Sequence, residues 1–155
     1  MADLHDIEAI KRLKYKYLRC LDTKAWGELA ECFVEDATSA YDAGQYTFEG
    51  RDAIIGFLEK ALGLATRITM HQVHHPEIEL RGYDLATGRW YLEDCVIDIK
   101  TNTTIRGTAF YHDEYVKVGG EWKLKSTGYE RVFEEAQDRA ETPSLKVTKT
   151  MFSAD

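Results

Sequence analysis

Residues 104–133 read TIRGTAFYHDEYVKVGGEWKLKSTGYERVF, and this stretch decides the fold class. Gly119-Gly120 separates two runs of alternating apolar and polar residues, and the favoured two-residue hairpin turn needs positive φ at both central positions. The stretch therefore predicts two long antiparallel strands, 104–118 and 121–133, joined by a tight turn. Working toward the N-terminus, residues 89–99 alternate in the same way, with Trp90, Leu92, Asp94 and Val96 on one face. Ile78 and Leu80 predict a short strand before Gly82. The period is two from Arg67 onward and helical before it.

In the first third, Ile7, Ile10, Leu13, Tyr17, Leu18 and Leu21 recur at three- and four-residue steps and predict one face of an amphipathic helix. Lys11, Arg12, Lys14 and Lys16 cover much of its polar remainder. A second helix from about Lys24 turns Trp26, Leu29, Ala30 and Phe33 inward, with Asp22 and Thr23 as natural caps. Thr38 to Tyr41 and Gln45 to Phe48 flank Asp42-Ala43-Gly44 and predict a hairpin. A third helix runs from about Arg51 to Leu62, apolar at Ile54, Ile55, Leu58 and Leu62, and stops before Gly63. Three helices followed by long antiparallel strands is an α+β pattern, in which the sheet must cover its apolar face with the helices. The expectation is one unit over residues 1–155 with a polar tail from about 136, in which Val147, Met151 and Phe152 are scattered.

The totals narrow the function. A chain of 155 residues fits one ordinary domain, and 44% hydrophobic residues supply a sizeable core. A formal net charge of -7 opposes binding to a polyanion, so nucleic acid is not an expected partner. Cys20, Cys32 and Cys95 share no metal-type spacing and point to no disulfide framework. The N-terminus has no basic region followed by an apolar run, and no stretch approaches the roughly 18 apolar residues of a membrane span. A reducing, aqueous, cytoplasmic setting is expected, with no membrane contact.

Several polar residues stand where chemistry is possible. Asp94 lies on an otherwise apolar strand face, where a carboxylate is expensive unless paired. It is either ion-paired with an arginine or it orients a functional base. His71, His74 and His75 cluster in Met-His-Gln-Val-His-His-Pro, and histidine is the usual proton carrier near neutral pH. Their H-x-x-H spacing without a third ligand is a weak metal signal, and no metal is expected. Tyr17 sits on the buried stripe of the first helix, where its hydroxyl needs a polar partner. Arg106, Thr108, Phe110 and His112 share one face of their strand, and Ile105, Ala109, Tyr111 and Tyr115 the other, so that one face lines a cavity. No Gly-rich nucleotide loop is present, and no cofactor is expected.

The opening Asp6-Ile7-Glu8-Ala9-Ile10, Tyr17, Leu21-Asp22, Trp26 and Leu29 resembles that of the SnoaL-like proteins, within the nuclear-transport-factor-two-like superfamily. Gly88-Arg89-Trp90-Tyr91-Leu92-Glu93-Asp94, Gly128-Tyr129-Glu130-Arg131-Val132-Phe133-Glu134-Glu135, Met70-His71 and Ala109-Phe110-Tyr111 are similar to the scytalone and bile-acid 7-alpha-dehydratases of that group. The match runs from about residue 6 to 135, while 42–50, 61–69 and 97–107 depart from it. The resemblance implies a cone-shaped, cystatin-like fold in which a curved antiparallel or mixed sheet wraps three N-terminal helices. It carries the aspartate–histidine dyad onto Asp22 and His71, the assisting tyrosine onto Tyr17 and the second aspartate onto Asp94. Tyr41, His112 and Tyr115 are expected to bind substrate, while His74 and His75 receive no catalytic role.

The expected activity is cofactor-independent removal of water from a hydrophobic cyclic hydroxy-carbonyl compound, steroid- or bile-acid-like and free or carried as a coenzyme A thioester. His71 is the candidate base, Asp22 or Asp94 its orienting carboxylate, and Tyr17 the proton donor, either to the leaving oxygen or to the carbonyl that becomes an enolate. Steroid acids, polyketides and aromatic xenobiotics all remain candidate substrates. A dehydrochlorinase or a ketosteroid-type isomerase would use the same dyad, and a non-catalytic binding or assembly domain is the alternative from another class. A homodimer or homotrimer is expected from the superfamily's sheet packing.

Overall fold

The structure, a computed structural model, describes residues 2–152. The expected alternation appears as four long strands: β3 (Arg67–Leu80), β4 (Leu85–Asp98), β5 (Thr103–Val118) and β6 (Glu121–Asp138). Each pairs antiparallel with the next. Gly119 and Gly120 join the last two with φ of 60° and 85°, as the turn type demands. Buried and solvent-facing residues alternate along β4 from Ala86 to Asp94, so one face of the sheet is covered and the other is not.

The helices supply that cover. Helix α1 (Ala2–Thr23) lays Ile10, Tyr17, Leu18 and Leu21 into one cluster with Trp90, Leu92, Tyr111 and Leu124. The short α2 (Trp26–Ala30) adds Leu29, and α3 (Arg51–Leu62) adds Ile54 and Leu58. Between α2 and α3 run β1 (Phe33–Tyr41) and β2 (Tyr46–Glu49). The sheet order is β2-β1-β6-β5-β4-β3, with β1 parallel to β6 and every other pair antiparallel. The result is a curved, unclosed mixed sheet around three helices, a cone-like α+β fold.

Several local expectations change. Phe33 is not part of α2, which ends at Ala30; Phe33 opens β1 opposite Leu124, anchored by the Leu124 amide donating to the Cys32 carbonyl at 2.8 Å. Ile78 and Leu80 are not a separate strand but the end of β3. His75 takes a φ of 48° and Pro76 has no N–H, so the ladder slips between His74 and Glu77 and then resumes. β4 starts at Leu85 and β6 continues to Asp138, which shifts the start of the tail to a short 3-10 turn at Arg139–Glu141. Near its end the tail folds back and lays the Phe152 ring 4.6 Å from the Lys24 ammonium. Asp22 is not the cap of α2: α1 runs through Thr23, and the cap position is Ala25, with no side-chain bond. Lys14 is not on the polar face but wholly buried.

Candidate active site

Two elements meet at Asp22 and His71. Asp22 lies in the last turn of α1, where the helix dipole disfavours a negative charge. Three donors from β3 offset that. The Thr69 hydroxyl donates to Oδ1 at 2.8 Å, the His71 main-chain N–H to Oδ2 at 2.9 Å, and His71 Nδ1 lies 2.7 Å from Oδ1. A carboxylate only accepts, so Nδ1 of the neutral ring carries the proton and Nε2 keeps its lone pair. The main chain and the side chain of one residue thus grip one carboxylate, which fixes the ring on its strand. Of the two carboxylates considered as the orienting partner, this geometry selects Asp22.

Asp94 pairs elsewhere. It stands opposite His71 in the β3–β4 register, on the same sheet face, but its carboxylate takes two bonds from Arg131 of β6, one of them Nη2 to Oδ2 at 2.9 Å. Gly107 of β5 stands opposite Asp94, while Arg131 lies one row along, opposite Ala109, and reaches Asp94 diagonally. Burial weakens the Arg131 charge, but the hydrogen bonds and charge of Asp94 outweigh it and hold the guanidinium more firmly charged than usual. The pair is thus a bidentate, partly buried ion pair whose cation reaches the same cavity as His71.

Tyr17 is fully buried, edge-on to Phe33 and Tyr111, with its hydroxyl 3.4 Å from that of Tyr41. Burial, and secondarily Tyr111, push its phenol well above the usual tyrosine range, so it stays protonated and able to donate. Tyr41 stacks on Phe57 of α3, which also stacks on Phe48 at 4.4 Å.

These groups share a cavity of about 160 Å³. Tyr17, Tyr41, His71, Asp94 and Arg131 form its polar side; Leu21, Phe57, Leu58, Leu62, Leu92 and Val96 form its apolar side. An apolar hollow of about 150 Å³ takes a benzene ring, so the cavity as shaped suits a compact ring.

Of the residues singled out from sequence, Tyr17, Tyr41, His71 and Asp94 line the cavity, and Asp22 reaches it through His71. His112 and Tyr115 lie elsewhere. His112 points out from the opposite sheet face and is exposed, because its parity on β5 is opposite to that of Tyr111. Tyr115 has the inward parity but lies beyond Asp113, to which it donates at 2.6 Å while accepting from Trp90 Nε1 at 2.9 Å. His74 is half-buried beside Glu93 at 3.7 Å. Among the described residues no three His, Cys, Asp or Glu side chains gather as a metal would require.

Sequence reasoning did not assign Arg131 or Phe57. A carboxylate on an apolar face signals that a cation must come to it, but which arginine arrives depends on the β4–β5–β6 register. Phe57 carried no separate signal, since it lies beside the apolar stripe of α3.

The SnoaL-like domain profile matches residues 2–128. Among solved structures, a scytalone-dehydratase-like protein of Novosphingobium aromaticivorans is 29% identical, with a TM-score of 0.80 over 87% of this chain and 91% of that one. A hexachlorocyclohexane dehydrochlorinase is 21% identical, with a TM-score of 0.79 over 87% and 90%. A cystatin-like protein of unknown function from Nostoc punctiforme is 22% identical, with a TM-score of 0.65 over 81% and 90%. The last two likenesses speak to the fold. No helix among the described residues is long and apolar enough to cross a membrane.

Proposed function

The chain belongs to the SnoaL-like domain family, and from that premise we propose that it is a small-molecule enzyme that eliminates water from a compact ring bearing a hydroxyl beside a carbonyl. One observation carries the reading: His71 has Nδ1 held by Asp22 while its ring lines a cavity that also holds a phenol donor and a fixed guanidinium.

In the proposed reaction His71 Nε2 removes the proton from the carbon next to the carbonyl. Asp22 stabilises the imidazolium that forms, as a buried carboxylate does behind a catalytic histidine. Arg131, kept charged by Asp94, faces the carbonyl oxygen as negative charge develops there. The electron pair of the broken C–H bond forms the new C=C bond and the C–O bond breaks. The departing hydroxide takes the Tyr17 proton and leaves as water. The proton held on His71 then returns to Tyr17, so the enzyme ends as it began and no electron is gained or lost. Each positioned proton-transfer group contributes on the order of a hundred- to ten-thousand-fold.

The cavity size favours one or two rings; a steroid nucleus requires α3 and β2 to move outward. A second reading has one observation in its favour. The lining facing His71 is mainly apolar, which also suits a halogenated ring, and chloride leaves without a proton. Dehydrochlorination would need His71 and Asp22 but not the Tyr17 acid.

The test is an absorbance assay for a new conjugated alkene on a panel of cyclic β-hydroxy ketones, from single rings to hydroxylated 3-oxo-steroid thioesters, with wild type and His71→Ala. Turnover that falls by several orders of magnitude in His71→Ala supports the reading. Equal turnover in both would remove His71 from the chemistry. A panel on which wild type shows no turnover would turn the reading toward halide elimination or binding.

A further inference from the structure

Behind the Tyr17 wall of the cavity lies a second polar cluster that the proposed reaction leaves unused. Lys14, one turn before Tyr17 on α1, has a wholly buried side chain, and its ammonium is 2.8 Å from Oδ2 of the equally buried Asp113. Asp113 is fixed by the Tyr115 hydroxyl on Oδ2 at 2.6 Å and the Thr127 hydroxyl on Oδ1 at 2.7 Å. Trp90 in turn donates to the Tyr115 hydroxyl at 2.9 Å. The Lys14 ammonium also lies 3.4 Å from the centroid of the Tyr111 ring and 4.7 Å from that of Tyr17. Both rings line the catalytic cavity.

A buried ion pair is a poor source of stability, because desolvating both charges offsets most of their attraction and well-packed apolar residues often do as well. What this pair does supply is a cation one ring away from the substrate: burial pulls the Lys14 ammonium below the usual lysine range, and the charge and hydrogen bond of Asp113 act to keep its proton. A positive charge against an aromatic face is attracted by its π electrons, and in a water-free setting it is little screened. Charge drawn from the Tyr17 ring strengthens its O–H as a donor and stabilises the phenolate left when the proton goes. Burial acts on Tyr17 in the opposite sense, followed by Tyr111 and, least, by the Asp113 charge. A deeply buried phenol used as an acid needs such a counterweight.

We infer that Lys14, held in place by Asp113, is a positioning residue that sets the donor strength of the Tyr17 hydroxyl. The inference rests on the proposed elimination, which gives that hydroxyl its role. The other titratable groups around Tyr17 are Tyr41 from β1, Tyr111 and Asp113 from β5, and, across the cavity, His71, Asp94, Tyr129 and Arg131. None of the others is a cation set against the Tyr17 ring.

The test removes both charges at once, Lys14→Met with Asp113→Asn, so that no lone charge is left buried. Three readings are taken. The first is turnover on paired substrates that lose hydroxide or chloride from the same ring. The second is the Tyr17 13Cζ shift by NMR at neutral pH, where the fold is intact and the shift follows the polarisation of the O–H bond, and the third is turnover after Tyr17 is replaced by the more acidic 3-fluorotyrosine. The inference expects hydroxide loss to fall ten- to hundredfold with chloride loss nearly unchanged, the Tyr17 13Cζ shift to move away from the phenolate side, and fluorotyrosine to restore hydroxide loss. An equal fall for both leaving groups, or a Tyr17 13Cζ shift that is unmoved, would overturn it. Where that double variant does not fold, Lys14→Gln with Asp113→Asn keeps a hydrogen bond between the two positions without their charges, and the same three readings apply with the same outcomes. The NMR readings stand whatever reaction is found, so failure of the elimination reading and failure of the Lys14 inference are separable.

Discussion

At the scale of single residues the account rests on a division of labour between two carboxylates of different surroundings. Asp22 is held by a hydroxyl, a main-chain N–H and an imidazole, while Asp94 is held by a guanidinium. Tyr17→Phe should lower dehydration by about a hundredfold or more, as expected for losing one general acid, and leave halide loss from a matched chlorinated ring nearly intact; steady-state kinetics on the two substrates measures the split. The buried tyrosines also set a pH limit on the fold. Burial raises the phenols of Tyr17, Tyr41, Tyr111 and Tyr115 well above the usual value. The folded state then holds these protons more tightly than the unfolded chain. The stability they contribute is complete below about pH 10, the unfolded tyrosine value, and is lost as pH rises beyond it. Melting temperature against pH should hold level from the tyrosines' side through pH 9 and fall steeply above about 10; a level course to pH 11 would contradict this. Of this scale, Tyr17, Asp22 and His71 were legible because a family pattern marked them. Lys14 was not, because a lysine among lysines on a helix reads as solvated until its partner Asp113 is known.

At the scale of elements, the site depends on which strands become neighbours. Strand periodicity and the Gly119-Gly120 turn were legible because alternation and positive φ are local properties. The parallel seating of β1 beside β6 was not, since nothing local distinguishes it from a hairpin partner. That seating carries Tyr41 to Tyr17, and the β4–β5–β6 register sets Arg131 in the row of Ala109 and Leu92, within diagonal reach of Asp94. Two consequences follow for the ion pair. Asp94→Asn leaves Arg131 with only the half-exposed Glu134, 3.2 Å from its Nε, as a charge partner, and should cost up to about 3 kcal/mol of stability, read by denaturant unfolding. The double variant Asp94→Leu with Arg131→Met should recover most of that stability while activity stays lost, which separates the pair's structural and electrostatic contributions. A double variant as unstable as the single would show that the packing around the two positions cannot take an apolar pair. Gly107 itself admits no side chain, since an added Cβ would stand 2.3 Å from the Phe133 carbonyl oxygen and force β5 from β6.

At the scale of the whole molecule, the sheet and three helices enclose a hollow whose size restricts the substrate more than its polar groups do. Phe57 stacks against Tyr41, Tyr46 and Phe48, so α3 is clamped to β1 and β2 by rings. Phe57→Ala should widen the cavity, improve kcat/KM for two- and three-ring substrates relative to one-ring substrates, and cost about 3–5 kcal/mol of stability. Unchanged substrate preference would mean that entry is controlled elsewhere. The α+β class was legible from the order of periods along the chain, while the curl that makes the hollow was not, because twist and bulges accumulate over strands that no single window spans. The proposed dimer or trimer belongs to this scale too, and light scattering of the purified protein counts the copies.

The most direct test of the central claim, that His71 removes a proton in this cavity, is exchange of the carbon-bound proton next to the carbonyl of a cyclic β-hydroxy ketone in D2O, followed by NMR. The account predicts that wild type accelerates exchange or elimination at that carbon and that His71→Ala is slower by several orders of magnitude, with Asp22→Asn between the two. Exchange at the wild-type rate in His71→Ala would contradict it and assign the base to another residue.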